Sequence, residues 1–180
     1  MRLLDRLSAG EARTYLPDLT MTPRRRERFD SDLAKERILA LAGWLSVAVA
    51  ALHVVIVVFG ARAYRYFGAG EDMARQAEAG SLVPAAMTLA IAAVFAVFAL
   101  YAFAGAGRFR RLPLLRTGLV AISAIYLVRG LSLLPELAKY DSGAVLPRHL
   151  AFSFTSLVIG LLYVTGTVLL WPSLSSRRRV

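Results

Sequence analysis

Four long apolar blocks dominate the pattern of hydrophobic and polar positions along the chain. They run from Ile38 to Phe59, from Pro84 to Gly105, from Leu112 to Leu134 and from Leu150 to Trp171. A hydrocarbon layer of ~30 Å takes about 20 residues of α-helix to cross, and each block is long enough. Helices are expected because an unpaired backbone group in lipid costs several kcal/mol. The pattern therefore predicts an all-α integral membrane protein.

The polar segments between the blocks predict how the four helices connect. The connection AGRFRR between the second and third blocks has about six residues, so these two helices are expected to be antiparallel neighbours. The simplest arrangement is a four-helix up-down-up-down bundle. Three regions follow: a basic N-terminal segment (residues 1–37), the four-span domain (38–171) and a basic tail (172–180).

Lysine and arginine are distributed unevenly among the segments outside the blocks. Fifteen lie in the N-terminal segment, the middle connection and the tail, against five in the first and third connections. By the positive-inside rule both termini are expected in the cytoplasm, with residues 60–83 and 135–149 facing outward. The net charge of +10 lies between apolar blocks, which favours lipid headgroups over nucleic acid as partners.

The N-terminal segment combines an arginine cluster with a short apolar repeat. Leu3, Leu4 and Leu7 predict either a short amphipathic helix at the membrane surface or a frayed terminus, and no apolar core of a cleavable signal peptide is present in the first thirty residues. The cluster either sets the topology or docks a cytoplasmic protein. The arginines expected to meet lipid headgroups are Arg24, Arg25, Arg26, Arg28, Arg110 and Arg111.

The composition excludes several kinds of chemistry. There is no cysteine, and His53 and His149 are the only histidines. A thiolate metal site, an iron–sulfur cluster and a thioether-linked haem are thereby ruled out, and the two histidines are expected at different depths. With no catalytic motif present, we expect no metal, no cofactor and no enzymatic activity.

Polar residues at membrane depth are the first candidates for function, because burying them in lipid is costly. Arg129 and His53 are expected at the same depth, about 9 Å from the outer boundary, with Tyr126 on the same helix face as Arg129. Ser153 in the fourth block lies at a similar level. The prediction is an outward-facing anion or ligand site, while the structural alternatives are an arginine that snorkels to the headgroups and a histidine that only packs.

The first outer connection offers further candidates. Its FGAGE stretch predicts a glycine turn before a short helix that starts near Glu71, and this helix would lie on the membrane or cover the outer mouth of the bundle. Since the blocks contain no carboxylate, Glu71, Asp72 and Glu136 are the expected ionic partners of Arg129, unless backbone carbonyls or an anionic ligand take that place.

Two stretches, YRYFGAGE and AGRFRRLPLLRTGLVAISAIYLVRG, give the chain a resemblance to a known group. It resembles small four-span bacterial inner-membrane proteins of unassigned function. The resemblance implies a bacterial inner-membrane location and no particular chemistry.

The functional expectation is a small non-enzymatic transport or channel-type protein. Four helices of this size leave little room for an aqueous path within one protomer, so a homo-oligomer or a larger membrane complex is expected. The alternatives are an accessory or anchor subunit of a membrane complex and a protein that binds a lipophilic molecule.

Overall fold

The computed structural model describes residues 22–140, 143 and 145–175, and the regular structure within them is entirely α-helical. The predicted amphipathic helix at Leu3, Leu4 and Leu7 and the tail arginines lie outside the described residues, as do the side chains of Arg25 and Arg28. The chain divides into two compact units, residues 1–34 and 35–180, and the sites described below belong to the second. The helices are α1 (Pro23–Phe59), α2 (Ala61–Phe67), α3 (Glu71–Glu78), α4 (Val83–Gly105), α5 (Leu115–Leu131), α6 (Leu133–Ala138) and α7 (Pro147–Ser175).

Within the part of the chain that the structure describes, four helical stretches are long and apolar enough to cross a membrane. They are Phe29–Phe59, Val83–Gly105, Leu115–Ala138 and Pro147–Leu174. Their number and their helical character confirm the predicted all-α four-helix bundle.

The helix ends differ from the ends of the apolar blocks. α1 begins at Pro23, fifteen residues before the apolar block begins at Ile38, and the carbonyl of Thr22 accepts the first backbone bond from Arg26 at 3.1 Å. Proline suits this first turn because its fixed φ is helical and its missing N–H would have no helical partner. Hydropathy marks the length of helix that lipid can surround, whereas backbone hydrogen bonding continues into polar sequence.

The third span contains a break four residues before Pro135, which has no N–H to bond the carbonyl of Leu131. α5 ends at Leu131, and α6 follows after Ser132, whose hydroxyl donates a hydrogen bond to the carbonyl of Arg129 at 2.6 Å. A serine side chain that bonds the preceding turn in this way competes with the helical ladder and bends the helix.

The connection between α1 and α4 folds into a pair of short helices, α2 and α3, which we call the helical cap (residues 61–78). Tyr64 is 1% exposed and Ala74 is fully buried, and both pack against Ile56 of α1 in a small apolar core. Gly68 closes α2 in the left-handed conformation at φ 81°, which only glycine adopts at little cost. The helix predicted to start near Glu71 is therefore present as α3.

The third and fourth spans pack closest to each other at two glycines. A Cβ atom at Gly130 would lie 2.6 Å from the Cα of Leu157, and one at Gly160 would lie 3.0 Å from the backbone nitrogen of Leu127. No larger side chain fits at either position without movement of the backbone. Close approach of this kind is a main source of helix association in lipid, where the hydrophobic effect between helices is absent.

At the opposite end of the bundle from the cap, two arginines hold the start of the third span to the end of the fourth. Arg111 donates to the carbonyl of Ser173 at 2.7 Å, and Arg116 donates to the carbonyl of Trp171 at 2.5 Å while lying over its ring at 4.4 Å. The Ser173 carbonyl is among the last four of α7, which have no partner within the helix, and both cations lie near the negative end of the helix dipole.

Candidate functional site

A chain of buried hydroxyls crosses the centre of the bundle. The Ser46 hydroxyl lies 3.0 Å from that of Tyr126 and 2.9 Å from that of Tyr163, and the Tyr163 hydroxyl donates to the carbonyl of Phe98 at 2.9 Å. Ser46 and Tyr163 are completely buried, and the two tyrosine rings stack with centroids 5.5 Å apart. These contacts join all four spans through polar groups that have little access to water.

The carbonyl of Phe98 ends this series of hydroxyls and determines the direction of each hydrogen bond in the series. A carbonyl only accepts, so Tyr163 gives its single proton to Phe98 and must accept the proton of Ser46. Ser46 has then no proton left for Tyr126, which must be the donor in the remaining bond. The Tyr126 oxygen keeps its acceptor capacity.

Tyr126 also forms part of a cavity of about 500 Å³ that opens between the four spans and the helical cap. We call it the cap-side cavity. Its volume lies within the range of sites for small molecules. The wall is aromatic and aliphatic for the most part, with Phe67, Tyr126, Phe95, Phe152, Val49, Leu52, Ile56, Ile91 and Ile159, and its polar members are His53, Arg129, Thr155 and Ser156.

The aromatic side of the cavity consists of two sets of ring contacts. Phe67 of the cap stacks on Phe152 of α7 with centroids 5.7 Å apart, and Phe95 of α4 lies 5.9 Å from Tyr126 and 5.2 Å from His53. The cap thus contributes one wall of the cavity directly.

His53 is oriented by its own helix. Its Nδ1 lies 2.7 Å from the carbonyl of Val49 one turn earlier, and since a carbonyl only accepts, Nδ1 carries the proton of this bond. Nε2 is the ring nitrogen that remains for other contacts.

Arg129 is held by serine hydroxyls. Its Nη1 donates to Ser132 and to Ser153 at 2.7 Å each, and Ser153 is completely buried on α7. The two serine oxygens are themselves 3.1 Å apart. A neutral pair of hydroxyls fixes the guanidinium without neutralising it.

The structure brings together four of the six residues that the sequence suggested for a site. His53, Tyr126 and Arg129 line one cavity, and the hydroxyl of Ser153 accepts a hydrogen bond from Arg129. Glu71 and Asp72 lie apart from it, on α3.

Glu71 and Asp72 have arginine partners within the helical cap. Arg65 binds Glu71 at 2.9 Å and Glu78 at 2.6 Å, whereas Arg75 lies 3.5 Å from Asp72. The Arg65 hydrogen bonds lower the pKa of both the Glu71 and Glu78 carboxyls, and these carboxylates in turn raise the pKa of Arg65. The acidic residues of the helical cap therefore form ion pairs with arginines of the cap itself.

Sequence reasoning did not find several residues of this region. Ser132, Ser46, Tyr163 and the phenylalanines of the cavity wall carry no motif, since serine, tyrosine and phenylalanine are ordinary in membrane helices. The one available signal was that Ser46 and Tyr163 are polar residues far from the ends of their blocks.

A second cavity, of about 540 Å³, lies at the other end of the bundle, with Glu36, Phe109, Arg111 and Leu174 in its wall. Among the described residues no group of three histidines or carboxylates is placed to bind a metal ion.

Fold and site together define a multi-pass helical membrane protein with a partly open cavity between its spans. In comparisons with known proteins, the chain matches no family model, no curated protein and no solved structure.

Proposed function

We propose that this membrane protein binds a lipophilic small molecule in the cap-side cavity. The observation that supports this proposal is the cavity itself: all four spans and the cap contribute to it, and its wall is apolar except for a few polar groups. Apolar walls with a small number of placed polar side chains are typical of small-molecule sites, where the apolar area gives affinity and the polar groups give orientation.

The binding role takes precedence over the transport role suggested by the sequence. Below the cavity, the centre of the bundle is filled by Ser46, Tyr126 and Tyr163 and by the surrounding apolar core. A packed core of this kind offers no aqueous path, so transport would need a route between protomers or a rearrangement. Transport and a channel-type role remain predictions, as does the accessory-subunit alternative.

The proposed setting is the inner membrane of a bacterium, with the cap on the outer side. The unequal distribution of lysine and arginine supports this orientation, and the resemblance of the YRYFGAGE region supports the location. A non-enzymatic role and a homo-oligomeric assembly belong to the same proposal.

The experiment is native mass spectrometry of protein released gently from its own membrane, compared with two phenylalanine variants of α7. Ser156 lines the cavity, so Ser156→Phe fills it, whereas Thr165 is exposed on the same helix and Thr165→Phe changes only the lipid-facing surface. We expect a retained lipophile in the wild type and in Thr165→Phe, and its loss from Ser156→Phe. Equal retention by the two variants would show that the molecule binds elsewhere.

A further inference from the structure

Arg129 is an exposed cation that lines the mostly apolar cap-side cavity. Among the described residues, no carboxylate forms an ion pair with it, and the hydrogen bonds of its guanidinium go from Nη1 to two serine hydroxyls. The carboxylates of the cap, Glu71 and Glu78, are bound to Arg65 instead. An unpaired guanidinium on a mostly apolar wall makes this part of the cavity complementary to an anion.

The serine bonds also decide which part of the guanidinium remains for a ligand. With Nη1 occupied, the N–H groups of Nε and Nη2 have no partner among the described residues. These two groups form one edge of the planar guanidinium, and they point in parallel, as two oxygens of one anionic head require. The fixed Nη1 means that little further ordering is needed when such a head binds.

The position of Ser153 argues against an arginine that only reaches for the membrane surface. A snorkelling arginine directs its charged end toward water. Here Nη1 donates instead to a hydroxyl that is completely buried between the helices. One nitrogen of the guanidinium is therefore tied to α7 at the cavity wall, while Arg129 as a whole is exposed.

We infer that the cap-side cavity binds an amphiphile with a monoanionic oxyanion head, held by the Nε–Nη2 edge of Arg129, and with an apolar chain against the aromatic wall of Phe67, Phe95 and Phe152. A single guanidinium balances one negative charge, whereas a dianion would leave an unpaired charge in apolar surroundings. Ser132 and Ser153 are positioning residues that hold Arg129. This inference rests on the proposed function and names the ligand class of the same site.

Two kinds of molecule combine a monoanionic oxyanion head with an apolar chain. In a fatty acid the head is a carboxylate, and in a phospholipid it is a phosphodiester. The probes are therefore dodecanoic acid, the neutral dodecanol and a dodecanoyl lysophosphatidylglycerol, each titrated into the purified full chain in a non-ionic detergent. Binding is measured by native mass spectrometry. Tight binding of the acid alone assigns a fatty carboxylate, and tight binding of the lysolipid assigns a phosphodiester; either result supports the inference.

The decisive variant is Arg129→Gln, which removes the charge and keeps a hydrogen-bonding side chain. We expect its affinity for the anionic probe to fall by at least about tenfold, because charge-assisted hydrogen bonds are lost, with dodecanol binding unchanged. Retained dodecanol binding also demonstrates that the variant is folded. Ser153→Ala is expected to weaken binding of the anionic probe alone, and Ser153→Thr, which keeps the hydroxyl, to restore it.

Two results would overturn the inference, and they are distinguishable from failure of the proposed function. If dodecanol binds as tightly as both anionic probes, or if Arg129→Gln leaves the affinity for anions unchanged, the anionic head is wrong. The lipophile site still stands in that case provided Ser156→Phe abolishes binding. If no probe binds, or if Ser156→Phe changes nothing, both proposals fail.

Discussion

Individual polar residues in the centre of the bundle determine which packing of the four helices is favoured. Ser46 is the residue on which this packing depends most, because its hydroxyl joins Tyr126 to Tyr163 by hydrogen bonds in addition to the stacking of the two rings. An apolar contact is tolerant of small displacements, whereas three hydroxyls and one carbonyl must meet within hydrogen-bonding distance. The network therefore specifies the register of the spans in addition to stabilising them.

We expect Ser46→Ala to lower the free energy of unfolding by about 1–2 kcal/mol, because the two tyrosine hydroxyls lose a partner in a site without water. The measurement is unfolding of the purified protein from mild detergent by increasing amounts of a denaturing detergent. Ser123→Ala is the matched control, since Ser123 is also buried but bonds only the carbonyl of Leu119 in its own helix. An equal loss in both variants would mean that the network adds nothing beyond an ordinary buried serine.

Among the elements, the helical cap is the part most dependent on charge. Its small core holds few apolar side chains, and Arg65 joins the two cap helices through Glu71 and Glu78. These groups are exposed, so each ion pair contributes little by itself. Both carboxylates bind the same guanidinium. Protonation of either one therefore weakens the connection between the two cap helices.

The pH dependence of the cap follows from the lowered pKa of Glu71 and Glu78. Carboxyls with a lowered pKa stabilise the folded form above their ordinary value of 4.5, and this stabilisation disappears as the pH falls through the lower folded pKa. We expect a nitroxide label on exposed Gln76 to become more mobile below pH 4.5. Arg65→Gln should give high mobility already at neutral pH, with little further change on acidification.

A label at Ala86, exposed on the first turns of α4, is the control for general acid unfolding. It should keep its mobility over the same pH range. A cap label that stays immobile in Arg65→Gln would show that the apolar contacts of Tyr64 and Ala74 hold the cap without the ion pairs.

At the scale of the whole molecule, the orientation in the membrane decides from which side the cap-side cavity is reached. The first connection carries three basic residues and the basic middle connection three within a much shorter stretch, in addition to the clusters at the termini. Since basic residues near the ends of spans are retained in the cytoplasm, the cap is expected on the outer side.

The absence of cysteine makes this orientation directly measurable. We expect Ala79→Cys, next to the cap, to react with a membrane-impermeant maleimide in intact cells whose outer membrane has been permeabilised. Phe109→Cys, in the middle connection, should react only after the inner membrane is broken. The reverse order of labelling would place the cap and the cavity on the cytoplasmic side.

The sequence by itself determined the number of spans and the helical class, because the cost of unpaired backbone groups in lipid leaves a long apolar block little choice but to be a helix. It also suggested Arg129, His53 and Tyr126 as candidate site residues, because a polar residue at membrane depth stands out against apolar neighbours.

Only the tertiary structure decided what these residues contact. The serine partners of Arg129, the Ser46 network and the glycine contact at Gly130 depend on the rotation and register of one helix against another. These are set by packing between residues distant in the chain, and a local pattern of apolar and polar positions contains no information about them.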